Sequence, residues 1–309
     1  MYLAERRAKA MGSSAQVLVY AHTQEAADAL GDLAMTRVAL LEQCWSRFRE
    51  DSELSQLNER AGRGPVSVSA DLETLVGVMR EASEWTRGAF DPTVLGSMTA
   101  LGYDADFATV VAREALAALD DSLSPSVGMS GIGIDTQAHT VTLPSGVGLD
   151  PGAIGKGLAG DIIASEIYDA GAGGVLVNLG GDITSRGSAG GLGWVAHVAD
   201  DRQENSPVHH EMELTETRRA VATSSSLRRR WNGRHHVIDP TTGLPAESDL
   251  AQVTVIAPTG WQAEAATTYA LVHGAQEAQR WLAAEGLDAL LFPHDPIHEP
   301  LRVREALHV

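Results

Sequence analysis

Cysteine is nearly missing from this chain of 309 residues: Cys44 is the only one. No disulfide can form within the chain, and cysteine gives no sign of an oxidising compartment. Cys44 lies in Val38-Ala39-Leu40-Leu41-Glu42-Gln43-Cys44-Trp45, a helical pattern in which a lone thiol reads as a small buried side chain rather than a nucleophile. Cations are also scarce. Lys and Arg number 23 against 41 Asp and Glu, a formal net charge of −18. Such a chain repels nucleic acid and anionic membrane as a whole, so an anionic ligand must be held locally, by a basic patch, backbone amides or a bound cation. No segment approaches the length of a membrane span, so no membrane insertion is expected. The first ten residues lack the apolar core and small-residue cleavage site of a secretory leader. They read as an N-terminal extension (1–10) without regular structure, and the protein reads as cytoplasmic. There is no Cys/His cluster of zinc type and no G-x-S-x-G elbow.

What is present is ordinary globular composition, 44% hydrophobic and 21% charged, on a length ample for a sizeable core. Apolar spacing predicts helices over 25–50, 70–86, 263–272 and 275–284, with a capped turn or short helix at 52–58. Strands are expected at 17–21, 140–143, 148–150, 175–179, 194–198, 237–238, 252–256 and 289–292. A glycine-rich loop, 152–157, leads into a further helix. The order is not a clean βαβ alternation, and no Pro/Ser-rich linker divides the chain, so the fold class is α+β in a single mixed domain.

Four constellations could carry chemistry. Arg234-His235-His236-Val237-Ile238-Asp239-Pro240-Thr241-Thr242-Gly243-Leu244-Pro245 packs two imidazoles, a carboxylate and two hydroxyls beside two prolines and a glycine. Asp-Pro ends a strand, and Gly243 can supply positive φ, so titratable groups are fixed at a corner. Phe90-Asp91-Pro92-Thr93-Val94 echoes it. Gly155-Lys156-Gly157-Leu158-Ala159-Gly160 formally matches the dinucleotide fingerprint, and Asp182 lies about 20 residues on. Against that stand the Asp150-Pro151 break before the loop and the lack of a second βαβ-like unit. A glycine loop at a helix start still favours an anion beside Lys156. From Arg218 to His236 the chain carries Arg218, Arg219, Arg228, Arg229, Arg230 and Arg234 and no acid, with Thr223-Ser224-Ser225-Ser226 among them. Glu264 and Thr268 stand at i and i+4 on a helix, two oxygen donors that suit a hard cation such as Mg2+ or, more plainly, a solvated helix face.

Several segments recur together in one family. They are Met11-Gly12-Ser13; Ser52-Glu53-Leu54-Ser55-Gln56-Leu57-Asn58; Gly88-Ala89-Phe90-Asp91-Pro92-Thr93-Val94; Leu149 through Asp161; Val177 through Ile183; Val221-Ala222-Thr223-Ser224; and His236 through Pro245. In this order they resemble the ApbE family of FAD:protein FMN transferases, over residues 11 to about 274. The resemblance implies a T-fold-like (ApbE-like) flavin transferase domain over 11–309. It implies FAD as substrate, Mg2+ on its diphosphate, and a target protein whose threonine or serine hydroxyl takes FMN while AMP leaves. Met11, Ala89, Phe90, Asp91, Asp150, Lys156 and Val237 match FAD-contacting positions, and Asn58 lies near another. The carbonyl of Ala153, with Glu264 and Thr268, matches the metal shell. His236 matches the catalytic general base.

The chain departs from the family pattern at named places. Glu264 stands where aspartate is usual, Ala266, Thr267 and Tyr269 depart from the small and apolar pattern of that helix, and Leu227 stands near where an aromatic is common. An early lipidated cysteine, frequent in relatives, is missing. Two alternatives stay within the family, a non-catalytic FAD-binding protein and an FAD diphosphatase. A nicotinamide-dependent oxidoreductase rests on the glycine match alone.

Overall fold

The computed structural model describes residues 1–112, 123–202, 210–217 and 219–304. Arg218 of the basic stretch lies outside the described residues. The chain forms two compact units, each from separated stretches: residues 1–40, 156–225 and 248–309, and residues 41–155 and 226–247. No linker marks these boundaries, which is why the sequence reads as undivided. Among the described residues six helices have seven residues or more: α1 (Gln24–Trp45), α2 (Glu53–Glu59), α3 (Ala70–Trp85), α4 (Gly155–Asp169), α5 (Gly260–His273) and α6 (Ala275–Ala284).

The first unit is built on an eight-stranded sheet whose order in space is its order in the chain. The strands are β1 (Tyr2–Ala10), β2 (Ser13–Ala21), β3 (Gly174–Leu179), β4 (Asp182–Gly187), β5 (Ala220–Ser225), β6 (Leu250–Ala257), β7 (Asp288–Pro293) and β8 (Leu301–Val303). Every neighbouring pair is antiparallel. The expectation of an unstructured 1–10 is corrected here. β1 pairs with β2 from Tyr2↔Ala21 to Ala10↔Ser13 across the two-residue turn Met11-Gly12, both at positive φ (51° and 66°). The charges that disguised it, Glu5, Arg6, Arg7 and Lys9, suit a sheet edge, where they discourage pairing with other chains.

All eight residues of β6 are buried, so both faces of the sheet are covered there. On one face Trp194, Ala196, Val198, Met212 and Leu214 pack against Leu176, Val221, Ile256, Leu290 and Phe292. They come from a hairpin of Trp194–Val198 and His210–Leu214. Each large side chain buried in this way contributes roughly 1.5–3 kcal/mol. Helix α5 packs on β5 and β6. Trp261, Ala263, Glu264, Ala265, Ala266, Thr267, Tyr269, Ala270 and Leu271 of α5 are buried, so the helix lies in the interior and Glu264 with it.

In the second unit Ser52 and Ser69 cap α2 and α3, accepting from the amides of Ser55 (3.0 Å) and Leu72 (3.2 Å). Cys44 is buried, and burial, with Glu53 beside it, pushes its thiol up to about 12, so it is inert as a nucleophile at neutral pH. A hairpin of Arg230–Trp231 and Arg234–His235 turns through Asn232-Gly233, at φ 47° and 78°. Trp231 anchors it, donating from Nε1 to the carbonyl of Leu101 at 2.7 Å.

Four expected elements change. The helix expected to reach 50 ends at Trp45. Residues 148–150 are not a strand. Instead Asn58 donates to the Leu149 carbonyl (3.0 Å) and accepts from the Leu149 amide (2.8 Å), so one side chain supplies the pairing a neighbouring strand would give. Val237 and Ile238 form no strand beyond the single bridge Ile238↔Pro245. Residues 152–157 are not one loop, because α4 already starts at Gly155.

Candidate functional site

Of the fingerprint glycines of α4, Gly157 faces protein backbone and Gly160 faces the Thr184 side chain. A Cβ on Gly157 would stand 2.3 Å from the carbonyl oxygen of Gly260, and one on Gly260 would stand 2.4 Å from that of Gly157. One on Gly160 would meet Thr184 Oγ1 at 2.7 Å. Helices α4 and α5 therefore touch backbone to backbone at Gly157 and Gly260, and Gly157 and Gly160 serve packing rather than a nucleotide phosphate. This overturns the oxidoreductase alternative, which rested only on the glycine spacing. Asp161, one turn along α4, accepts from the amides of Gly260 (2.7 Å) and Trp261 (3.1 Å), capping α5 from outside. Sequence reasoning missed this role, because a tertiary cap leaves no local signature.

The crossing aligns three charges. Lys156 Nζ lies 2.6 Å from Asp182 Oδ2 and donates to Glu264 Oε1. Glu264 Oε2 accepts from the Gly157 amide at 2.8 Å, and Asp182 Oδ1 from that of Thr223 at 3.2 Å. The side chains are 16%, 6% and 3% exposed for Lys156, Asp182 and Glu264, so neither Lys156 nor Glu264 is a solvated surface group. Burial disfavours the charge of Lys156, but Asp182 and Glu264 outweigh it and hold the ammonium above its usual range. Burial pushes the Glu264 carboxyl up; Lys156 pulls it back and Asp182 adds to the rise. Two carboxylates against one ammonium leave a buried surplus of negative charge.

Asp161 offers a test of the crossing. Burial raises its carboxyl to about 6, against the pull of the Gly260 and Trp261 amides. The folded pKa exceeds the ordinary 3.8, so the native state binds this proton more tightly than the unfolded state. The stability involved is complete below about pH 4 and is lost as pH rises through about 6, by up to ~3 kcal/mol. Thermal melts of Asp161→Asn between pH 4 and 7 should lack that part of the wild-type slope. A slope unchanged from wild type would contradict the assignment.

The chemistry of the donors decides whether a hard divalent ion fits. Glu264 and Asp182 offer carboxylate oxygens, each oxygen with a lone pair beyond its present partner. Thr268 places a hydroxyl one turn beyond Glu264, donating to the Glu264 carbonyl at 3.4 Å, and Thr267 is tied to Ser224 at 2.7 Å. Among the described residues no three acidic, histidine or cysteine side chains gather as a ready cage. Oxygen donors and surplus negative charge suit Mg2+, which keeps several waters and takes only one or two carboxylates from protein. The residues fit the ion.

The second unit orders the remaining expected residues. Asp91 Oδ1 accepts from the amide (2.8 Å) and hydroxyl (2.7 Å) of Thr93, and Asp239 Oδ1 does the same with Thr241 at 2.8 and 2.7 Å. The echo noted in the sequence is thus one local motif used twice, an aspartate turn closed by the threonine two residues on. Ser126 ties the two turns, donating to Asp91 Oδ2 at 2.5 Å while its amide donates to the Pro240 carbonyl at 2.8 Å. Ala89 and Phe90 are buried beside Asp91, and the Phe90 amide donates to Thr86 Oγ1 at 3.0 Å. Asp150 accepts from the Gly152 amide at 2.8 Å and pairs with Arg47 at 3.1 Å, a partner that no sequence spacing announces. Ala153 is half-buried in the turn that follows.

The two adjacent histidines separate in role. His235 accepts from the Val237 amide at Nδ1 (3.3 Å), leaving Nε2 to donate to the Ala246 carbonyl (3.2 Å), so it is scaffolding. His236 is half-buried, and Val237 behind it is 7% exposed. Gly243, at φ 75°, has the Ser124 carbonyl 2.6 Å from any Cβ, so the corner needs glycine twice over.

Comparison with known proteins joins these observations. The model of the ApbE family matches residues 11–291. A protein of Escherichia coli (strain K12) named FAD:protein FMN transferase is 28% identical over 268 residues, 84% of this chain and 75% of that protein. One of the same name from Treponema pallidum is 31% identical over 266 residues, 80% and 73% of the two chains. Among solved structures, the ApbE protein of Thermotoga maritima superposes with a TM-score of 0.82 at 25% identity, covering 98% of this chain and all (100%) of that one. The apo flavinyl transferase ApbE of Pseudomonas stutzeri gives 0.79 at 21% identity, covering 98% and 95%, a likeness of fold. The chain is therefore a member of the ApbE family.

Proposed function

We propose that this protein is an FAD:protein FMN transferase that moves the FMN half of FAD onto a threonine or serine hydroxyl of a target protein and releases AMP. The observation that carries the reading is the buried surplus of negative charge at Lys156, Asp182 and Glu264, in a family whose relatives bear this activity as their name. Glu264, Thr268 and the Ala153 carbonyl would hold Mg2+, which when bound supplies charge neutralisation for a diphosphate. Met11, Asn58, Ala89, Phe90, Asp91, Asp150, Lys156 and Val237 would hold FAD. Asn58 serves through the Leu149 backbone, and Phe90, at 2% exposure, through its main chain. His236 would take the acceptor's proton at a ring nitrogen, a task suited to imidazole because its ordinary pKa lies near neutral. The acceptor oxygen then bonds to the FMN-side phosphorus, the bridging P–O bond breaks, and AMP leaves with that electron pair. The reading includes a cytoplasmic location; no described helix is long and apolar enough to cross a membrane.

The test is incubation with FAD, Mg2+ and a peptide carrying a threonine. AMP together with a flavin-sized mass gain on the peptide is expected. AMP alone identifies FAD hydrolysis. FAD binding without AMP, with the natural acceptor protein also supplied, identifies a non-catalytic flavin binder. His236→Ala is expected to keep FAD affinity within about threefold and to lose at least about a hundredfold in transfer rate. Full turnover in that variant would remove His236 from the mechanism.

A further inference from the structure

We infer that Arg47 is a positioning residue for FAD, fixing the Asp150 carboxylate in the one orientation in which the substrate is bound. This rests on the transferase reading, in which Asp150 contacts FAD.

The geometry is specific. Arg47 Nε lies 3.1 Å from Asp150 Oδ2, and the two side chains are 6% and 7% exposed. Arg47 Nη1 donates to the Tyr103 carbonyl at 2.9 Å. Its guanidinium lies 4.1 Å from the ring centre of Phe48 and 4.6 Å from that of Tyr103. An arginine held by two rings, a carbonyl and a carboxylate cannot swing to another partner. Asp150 is fixed from its other side as well. Its Oδ1 accepts from the Gly152 amide at 2.8 Å, its own amide donates to the Pro92 carbonyl at 2.8 Å, and Asn58 clamps the preceding residue. The carboxylate has one orientation and presents acceptor lone pairs only. Groups of FAD that satisfy it are donors, its hydroxyls and ring N–H groups, whereas the diphosphate oxygens are repelled. Removing Arg47 leaves a buried carboxylate without its cation, free to turn toward other donors.

The experiment compares wild type, Arg47→Met, Arg47→Lys, Asp150→Asn and the Arg47→Met/Asp150→Asn double variant. Flavin fluorescence quenching gives the Kd for FAD, AMP release gives KM and kcat, and melting gives Tm. Arg47→Met should raise Kd and KM for FAD about tenfold or more while kcat stays within about threefold. Arg47→Lys should recover part of the loss, since it restores charge without the planar fork. The double variant should bind FAD no worse than Asp150→Asn alone, because both changes break one unit. A merely structural role would lower Tm and leave the Kd of the folded protein unchanged. Wild-type Kd in Arg47→Met, or single losses that multiply in the double variant, overturns the inference. Should Arg47→Met not fold, Arg47→Lys decides: a Kd equal to wild type overturns the inference and a raised one supports it. A wild type that binds no FAD sinks the transferase reading and this inference with it, whereas FAD binding indifferent to Arg47 sinks the inference alone.

Discussion

Gly157→Ala is expected to cost about 3 kcal/mol or more of stability. The added carbon would lie 2.3 Å from the Gly260 carbonyl oxygen and 2.4 Å from its carbon, and both are backbone atoms that no rotamer change can move aside. Helix propensity works the other way, since alanine is better than glycine by about 1 kcal/mol in a helix. The clash must exceed that gain, and a contact more than 1 Å inside van der Waals distance does so only by pushing α4 and α5 apart. Separation would also pull Glu264 from Lys156 and the Gly157 amide. Urea unfolding of Gly157→Ala, Gly260→Ala and the pair checks this. The double variant should fall well short of the summed losses, since one displacement relieves both clashes. A Gly157→Ala protein within about 0.5 kcal/mol of wild type would show that the crossing is not held by backbone contact.

Glu264→Gln should separate activity from stability. Glutamine keeps the volume and one acceptor oxygen, and Lys156 keeps Asp182. The buried surplus charge disappears, so folding in EDTA is expected to be as favourable as in wild type, and more so toward high pH. The sign follows from the raised carboxyl of Glu264: its contribution to stability is full at low pH and declines as pH rises through its folded value. The glutamine variant has no such decline. AMP release should fall by at least about a hundredfold, because an amide oxygen neutralises a divalent ion far less than a carboxylate. Melts from pH 5 to 8 and an AMP assay across Mg2+ concentrations check both halves. Undiminished AMP release at limiting Mg2+ would take Glu264 out of the metal shell.

Legibility in the sequence followed the range of the interactions. The main sheet strands centred on 17–21, 175–179, 252–256 and 289–292 were visible because buried strands read as apolar runs. Edge strand β1 was hidden by Glu5, Arg6, Arg7 and Lys9, which its exposure permits. The candidate site residues Lys156, Glu264 and His236 stood out through local context. Their partners did not. Asp182 was noted for a spacing that turned out irrelevant, while Arg47, Asp161 and Ser126 act on residues 103, 99 and 114 positions away, taking Asp150, Gly260 and Pro240 in turn. Gly157 and Gly160, which looked like part of a phosphate loop, are packing contacts to Gly260 and Thr184, since both uses demand the same missing side chain.

The chain contains only two lysines, Lys9 and Lys156. One lies exposed on the outermost strand of the sheet and the other is 16% exposed between two carboxylates. Side-chain amine coupling therefore meets a single reachable group. Apart from the α-amine, biotin, a dye or a sensor surface attached through lysine chemistry would be held at that sheet edge, with Lys156 shielded.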